Sequence, residues 1–435
     1  LSMSKSPNVL FLLIDALRAD QCYDNKAQTP TISSLIENGI YFKQAISSND
    51  GTLLSLNTLF SGKFSFRTGN RVQKIILAEN NFLEILKTNG YHNYGLIPNL
   101  TSFNPLSKNL ENEKNMYEHG PPTEVLSKGL GQKIIEFLNS KKMVEPWFYY
   151  VHISDLHPFR ERTYEKMVQT VDTWLEKILK NVNNSKTLIV LTADHGERIS
   201  FDGIRDVDFE PEFNSLVKFG KTNLPKFSHK TGGKLLGKAR KIIGNYKKEK
   251  SNKRLALFEK RSREPDHKLS LYDEILHIPL IFSGCELLPK IIDKQVCLAD
   301  IFPTICDLCK LNNNMKTDGR SLMPAMEEKN LEEKPIYLHT IPYVKVSPYD
   351  RVGLRTSKYK YFRNNNDLKQ DVHLYDLHLD PKENNNIAKE NPDVVNNLEN
   401  SLLSIQNNGE QETVQEIPAD ELRKIEEELK KSGYI

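Results

Sequence analysis

The stretch TLIVLTADHGE, Thr187 to Glu197, constrains this chain more than any other. Leu188 to Leu191 form a run of branched apolar residues, the pattern of a strand buried on both faces of a parallel sheet. The run stops at a small residue followed by Asp194, His195 and Gly196. Open α/β sheets bind ligands beyond the C-terminal ends of their strands, and a glycine there lets the backbone turn sharply. Taken alone, the pattern reads equally as a turn with a hydrogen-bonded imidazole or as half of a metal site. PNVLFLLIDALRAD, Pro7 to Asp20, repeats it: a second buried run ends in Asp15, an expensive residue to bury by itself. Two acids at strand ends call for a cation.

Two further stretches carry chemistry. In SSNDGTLLSLNTLFSGKF, Leu53, Leu56, Leu59 and Phe60 form an apolar helical stripe, with Thr52 just ahead of it and Gly62 as the stop. Thr52 is therefore an N-cap candidate, placed among the free amides at the positive end of a helix. Beside a divalent cation, the same hydroxyl can serve as a nucleophile. EPWFYYVHISDLHPF reads as a third buried strand, followed by His152, Asp155 and His157. Two imidazoles and an acid in that position point to substrate contacts, with His157 the candidate for the leaving group.

The chain has 435 residues, long for one core, so the expectation is one large domain with a smaller one attached. A net charge of +3 is too small to argue for nucleic acid. No apolar run approaches the roughly 20 residues that span a bilayer. The sequence reads as soluble, and as cytoplasmic unless a removed N-terminal signal once exported it. Cys22, Cys285, Cys297, Cys306 and Cys309 are too few and too scattered for a disulfide framework, and Cys306 and Cys309 fit one helical turn of a core helix. TPTISSLIENGIYFKQA predicts a helix over Pro30 to Glu37 and then a strand; FLEILKTNGYHNYGLIPNL predicts a helix, a glycine stop and a strand. Residues 201–266 fit no motif, and their second half is dense in Lys and Arg. That insertion reads either as a solvated helical hairpin or as a basic lid drawing in an anionic polymer or membrane face.

Taken in order, these stretches resemble the sulfatase-like branch of the alkaline phosphatase superfamily along nearly the whole chain. PNVLFLLIDALRAD is similar to the family's opening strand with its metal-binding acid, here Asp15. GTLLSLNTLFSGKFSFRTG resembles the nucleophile helix, which places Thr52 at the nucleophile position and Lys63 where a substrate-binding base often follows the glycine. HISDLHPF resembles a His-x-x-Asp-x-His-x-Pro turn, shortened by one residue between His157 and Pro158. TADHGE resembles the metal-binding Asp-His pair, and HKLSLYDEILHIPLIF an element whose lysine, here Lys268, contacts the substrate anion. The resemblance implies an alkaline-phosphatase-like fold: a central, mostly parallel sheet flanked by helices in a catalytic domain over residues 1–330. A smaller C-terminal α+β subdomain with a closing helix would take residues 331–435.

The departures narrow the chemistry. The family's formylglycine precursor, Cys or Ser in Cys-x-Pro-Ser-Arg, is Thr52-Leu53-Leu54-Ser55-Leu56 here, and threonine cannot become that aldehyde. The usual second acid after Asp15 is Ala16. What remains is a single-cation set, Asp15, Thr52, Asp194 and His195, with zinc or manganese favoured by the mixed donors and magnesium or calcium still open. The expected activity is metal-dependent cleavage of a phosphate or sulfate ester, phosphoester favoured because of Thr52. Helix amides and Lys268 balance the anion, Thr52 attacks in line, His157 or His267 protonates the leaving group, and water or an acceptor alcohol releases the product. The alternatives are a sulfuric ester hydrolase, a phosphotransferase, and a silent homologue binding anionic glycans through the insertion. The expected partner is an anionic ester, on a glycan or a lipid head group, with oligomeric state left open.

Overall fold

The computed structural model describes residues 6–23, 27–68, 74–77, 80–119, 124–156, 163–198, 261, 271–340, 350–408 and 418–432. Within them, one sheet is built from β1 (Asn8–Ile14), β2 (Ile40–Ile46), β3 (His92–Pro98), β4 (Met116–Tyr117), β5 (Trp147–Ile153), β6 (Thr187–Thr192), β7 (His277–Ile278), β8 (Leu280–Gly284) and β9 (Lys290–Cys297). The order is β4-β3-β5-β1-β6-β8-β2-β7, with β9 also paired to β2. The centre, β3-β5-β1-β6, is parallel throughout, and β8 is antiparallel to β6 and to β2. Every residue of β1, β5 and β6 is buried. That is why these segments read as unbroken apolar runs rather than as alternating patterns.

Helices α1 (Pro30–Glu37), α2 (Thr52–Ser61), α3 (Phe82–Thr88), α4 (Tyr164–Leu179) and α5 (Ile301–Leu308) belong to the layers around this sheet. The predicted helix over Pro30 to Glu37 is α1, with proline in its first turn. Asp172 of α4 accepts hydrogen bonds from the amides of Thr31 (3.1 Å) and Ile32 (2.8 Å), fastening α4 to the start of α1. Cys306 and Cys309 are buried at α5 as core side chains, and burial pushes the Cys309 thiol up to about 12.

A second, antiparallel sheet holds β10 (Ile336–His339), β11 (Arg351–Arg355), β12 (Tyr359–Asn364) and β13 (His373–Asp376) in sequential order, with α6 (Pro392–Asn407) against it. Its core takes in Ile46, Phe64, Leu276 and Cys297 from the large sheet's side, so the two sheets share an apolar boundary. The closing helix α7 (Ala419–Ser432) returns to the large unit: Ile425 lies in the main core, and Glu428 accepts from the Thr101 amide (3.0 Å) and hydroxyl (2.9 Å).

Gly62 ends α2 in the left-handed conformation, φ 66°, and its carbonyl accepts from the amides of Asp318 (2.9 Å) and Gly319 (3.1 Å). A Cβ there would meet Thr317 Cγ2 at 2.6 Å. Gly62→Ala is expected to cost about 2–4 kcal/mol, combining left-handed strain with the clash. Urea unfolding measures it; a loss well below 1 kcal/mol would mean that the 317–319 loop moves freely.

Candidate metal centre and nucleophile

β1 and β6 run in parallel register, with Leu13 opposite Thr192, so Asp15 and Asp194 leave the sheet side by side. Both are fully buried. Burial, and then the charge of Asp15, push the Asp194 carboxyl up. His195 follows directly, and ligand atoms of Asp15, Asp194 and His195 all lie within 4.8 Å of one another. Its Nδ1 sits 2.7 Å from the Gly196 carbonyl, which can only accept, so Nδ1 carries the proton. That leaves Nε2 facing the acids, 3.6 Å from Asp15 Oδ1 and 3.7 Å from Asp194 Oδ2. Burial opposes the imidazolium, but the Asp194 and Asp15 carboxylates outweigh it and push His195 up to about 9.

The nucleophile candidate reaches the same point from another layer. Thr52 Oγ1 lies 3.1 Å from His195 Nε2 and is nearly inaccessible to solvent. The expected N-cap role is not what the structure shows: Gly51, in extended backbone, is the N-cap, and Thr52 is the first helical residue. A hydroxyl one position into the helix is directed at His195 rather than at the helix amides.

The donors fit a divalent cation. Asp194 Oδ1 accepts from the amides of Ala16 (3.2 Å) and His195 (2.9 Å), whereas its Oδ2 is buried with no hydrogen bond among the described residues. An orphaned carboxylate oxygen, a second carboxylate and an imidazole nitrogen form a hard-to-borderline donor set. Around it, Ala16 holds φ 63°, a conformation that L-residues rarely adopt. The Tyr164 hydroxyl braces it, donating to the Ala16 carbonyl (2.6 Å) and accepting from the Arg18 amide (3.1 Å). Gly196 admits no side chain, because a Cβ would meet the Glu274 carbonyl at 2.3 Å.

Other expected site residues are placed differently. His152 is fully buried behind the acids, with Nε2 3.1 Å from Asp15 Oδ2 and Nδ1 3.0 Å from the Tyr150 hydroxyl. It orients Asp15 and touches no substrate in this arrangement, which corrects its assignment as a substrate contact. Asp155 is corrected likewise: both oxygens accept from the Leu126 amide at 3.2 Å, and burial pushes its carboxyl up to about 7. Lys63 follows Gly62 at the other end of α2, roughly 15 Å from the Thr52 end at 1.5 Å per residue, too far for its side chain to contact the reacting ester. His157, His267 and Lys268 lie outside the described residues, as does the 201–266 insertion apart from Arg261, which pairs with Glu274 at 2.8 Å. Tyr164 and Arg18 escaped the sequence reading. DALRAD held a hint for Arg18, whose guanidinium grips Asp20 (2.9 and 2.7 Å), but nothing local marks a tyrosine so far along the chain.

A mostly parallel α/β sheet with two carboxylates, an imidazole and a helix-borne hydroxyl at its strand tips defines a metal-centred ester hydrolase. Comparison with known proteins gives the family. Residues 7–311 match the family described as Sulfatase, and residues 265–408 match N-sulphoglucosamine sulphohydrolase, C-terminal. The chain belongs to the sulfatase family, whose members bind a divalent metal ion and hydrolyse ester bonds. It is 22% identical over 458 residues to arylsulfatase K of Mus musculus, covering 94% of this chain and 80% of that one. Among solved structures, phosphonate monoester hydrolase of Agrobacterium radiobacter shares the fold with a TM-score of 0.62 at 16% identity, covering 92% of this chain and 95% of that one. Ps i-CgsB, solved in complex with k-i-k-neocarrahexaose, superposes with a TM-score of 0.63 at 15% identity over 98% of each chain. No helix among the described residues is long and apolar enough to cross a membrane.

Two outcomes are expected. Below pH about 9 a cation must displace the proton of His195, so zinc or manganese affinity should rise with pH until about 9 and then level off; calorimetry in buffers of different ionisation enthalpy reads the released proton. Tyr164→Phe should weaken metal binding about tenfold, as loss of an outer hydrogen-bonding partner does. Ala16→Gly in that background should restore it, since glycine takes φ 63° without support.

Proposed function

We propose that this chain hydrolyses a sulfate ester, with Thr52 as the nucleophile and Asp15, Asp194 and His195 holding one divalent cation. The observation carrying the reading is the 3.1 Å contact of Thr52 Oγ1 with His195 Nε2, at the edge of a buried carboxylate pair. Zinc or manganese suits the mixed oxygen and nitrogen donors best. When bound, the cation supplies Lewis acidity that lowers the pKa of the Thr52 hydroxyl and balances negative charge on the ester oxygens.

The rest is the work of the chain. Thr52 Oγ1 forms a bond to sulfur as the bond from sulfur to the alcohol oxygen breaks, and the alcohol leaves with a proton. His157 and His267 are the candidates for that acid and Lys268 for an anion contact, on sequence grounds. Water then attacks the threonine sulfate, freeing sulfate and returning a proton to Thr52. His152 and the Ala16 amide hold the two carboxylates in place through both steps. The substrate alcohol is proposed to be a sugar, by analogy with the glycan-bound relative. Kinship with sulfatases moves the reading from the phosphoester favoured by the sequence to a sulfate ester.

One observation keeps the phosphoester as a second reading. Threonine at position 52 cannot provide the aldehyde chemistry by which formylglycine sulfatases expel sulfate, and a plain hydroxyl is equally suited to attack phosphorus.

Thr52→Ala should lower turnover by at least about a thousandfold while metal content and unfolding midpoint stay the same. Retained turnover on every ester tested would remove Thr52 from the mechanism. Comparing kcat/KM on 4-nitrophenyl sulfate, phosphate, phenylphosphonate and bis-phosphate separates the two readings, with the sulfate expected to lead.

A further inference from the structure

The far end of α2 borders a cavity of about 260 Å³ between the two sheets. Phe64, Val296 and Ile336 give it an apolar wall, and Arg67, Arg320 and Lys334 bring three positive charges to it. Two carboxylates also line it, but their oxygens are already engaged. Asp318 accepts from Arg67 Nε (2.6 and 2.8 Å) and the Phe64 amide (2.9 Å); Asp300 accepts from the amides of Cys297 and Arg320, both at 2.8 Å. The cations are less satisfied. Arg67 Nη2 donates to the Ile405 carbonyl (3.3 Å), whereas Nη1 is buried with no hydrogen-bond partner among the described residues. The side chains of Arg320 and Lys334 act on the Asp300 carboxylate only through their charge, and Lys334 is exposed at the rim.

Three cations against two carboxylates leave an excess of one positive charge around a partly apolar space. Arg67 is paired with Asp318 and its Nη1 is closed off from solvent, so the excess charge is presented to the cavity by Arg320 and Lys334, set against Asp300 alone. A guanidinium pairs best with a planar carboxylate or another oxyanion, and the apolar wall asks for a ligand with a body as well as a charge. The volume falls below the about 300 Å³ at which drug-sized pockets begin, so one ring fits and a chain does not. We propose that this cavity binds a small organic oxyanion the size of one acidic sugar ring, at a site separate from the Thr52 centre. Because the Asp318 and Gly319 amides bond to the Gly62 carbonyl, the occupied site would also brace the C-terminal cap of the nucleophile helix.

Calorimetric titration of the full chain with sodium glucuronate tests this, with sodium sulfate as the second probe. The expected result is one saturable glucuronate site, weakened at least about tenfold in Arg320→Glu/Lys334→Glu and unchanged in Asp194→Asn, whose metal centre lacks a ligand. Lys334→Glu alone, at an exposed position, gives a smaller loss in the same direction and serves if the double variant does not fold. Binding lost in Asp194→Asn but kept in the double variant would put the probe in the Thr52 centre and overturn the proposal. So would the absence of any saturable heat with wild type, or sulfate binding as tightly as glucuronate. Because the readout is binding rather than turnover, failure of the Thr52 mechanism leaves the result interpretable.

Discussion

Two carboxylates forced together at a dry sheet edge are the constraint on which the rest of this structure depends. Asp15 and Asp194 are each fully buried, and the parallel register of β1 with β6 leaves them no way to separate. Burying even one ionised carboxylate costs several kcal/mol after relaxation, and a second like charge beside it adds to that. The surrounding groups offset part of the cost: the Ala16 and His195 amides for Asp194, the His152 imidazole for Asp15. His195 presents its Nε2 to both acids while its Nδ1 donates to the Gly196 carbonyl. In the absence of a cation, the proton drawn to His195 supplies the positive charge. Metal and proton therefore compete for one vacancy of charge, and that competition couples metal affinity to pH.

The Thr52 hydroxyl beside these acids is held as firmly as they are. Asn49, three residues ahead of Thr52, does much of this. Its Oδ1 accepts from Ser48 Oγ (3.0 Å) and Thr58 Oγ1 (3.3 Å), and its Nδ2 donates to Ser65 Oγ (3.2 Å) and the His339 carbonyl (3.0 Å). The approach, middle and exit of α2 are thus tied to one amide side chain and, through His339, to the end of β10. The His339 amide donates in turn to the Ser48 carbonyl at 2.9 Å. A second tie runs through Asp273, which pairs with Arg355 (2.8 Å) and with the fully buried Lys360. Burial alone would raise the Asp273 carboxyl, but Arg355 and Lys360 hold it well below the usual carboxylate range. The small sheet therefore buttresses the loops that deliver Thr52 and the 271–276 segment.

The buried strands and their terminal acids were legible because a strand covered on both faces has a distinctive composition and an acid at its end has few innocent explanations. Asp15, Asp194, His195 and Thr52 were all readable on those grounds, and the structure brings them together. What was misread was direction. A histidine in a buried strand looks the same in sequence whether it faces a substrate or the back of a ligand, and His152 faces the back of Asp15. Lys63 was assigned by motif position, which says nothing of the ten-residue helix separating it from Thr52. Tyr164 lay beyond reach altogether. Its role depends on a positive φ at Ala16, and alanine in that conformation leaves no mark in a sequence.

The one-residue offset between the expected and observed start of α2 carries a chemical consequence. A threonine at the N-cap would commit its hydroxyl to an amide of the first turn. Here Gly51 occupies that position with no side chain to offer, so the first-turn amides lack a side-chain cap and the Thr52 hydroxyl points to His195 instead. Helix amides left uncapped at a buried end favour an anion, and they stand next to the Thr52 hydroxyl. Charge then discriminates among anions. A divalent cation and two carboxylates sum to zero, and Ala16 removes the further acid that the sequence resemblance would have placed here. A centre that is neutral before substrate arrives accommodates one negative charge more readily than two. Sulfate monoesters and phosphodiesters carry one, whereas a phosphomonoester dianion carries two, so the electrostatics group the first two together and set the third apart.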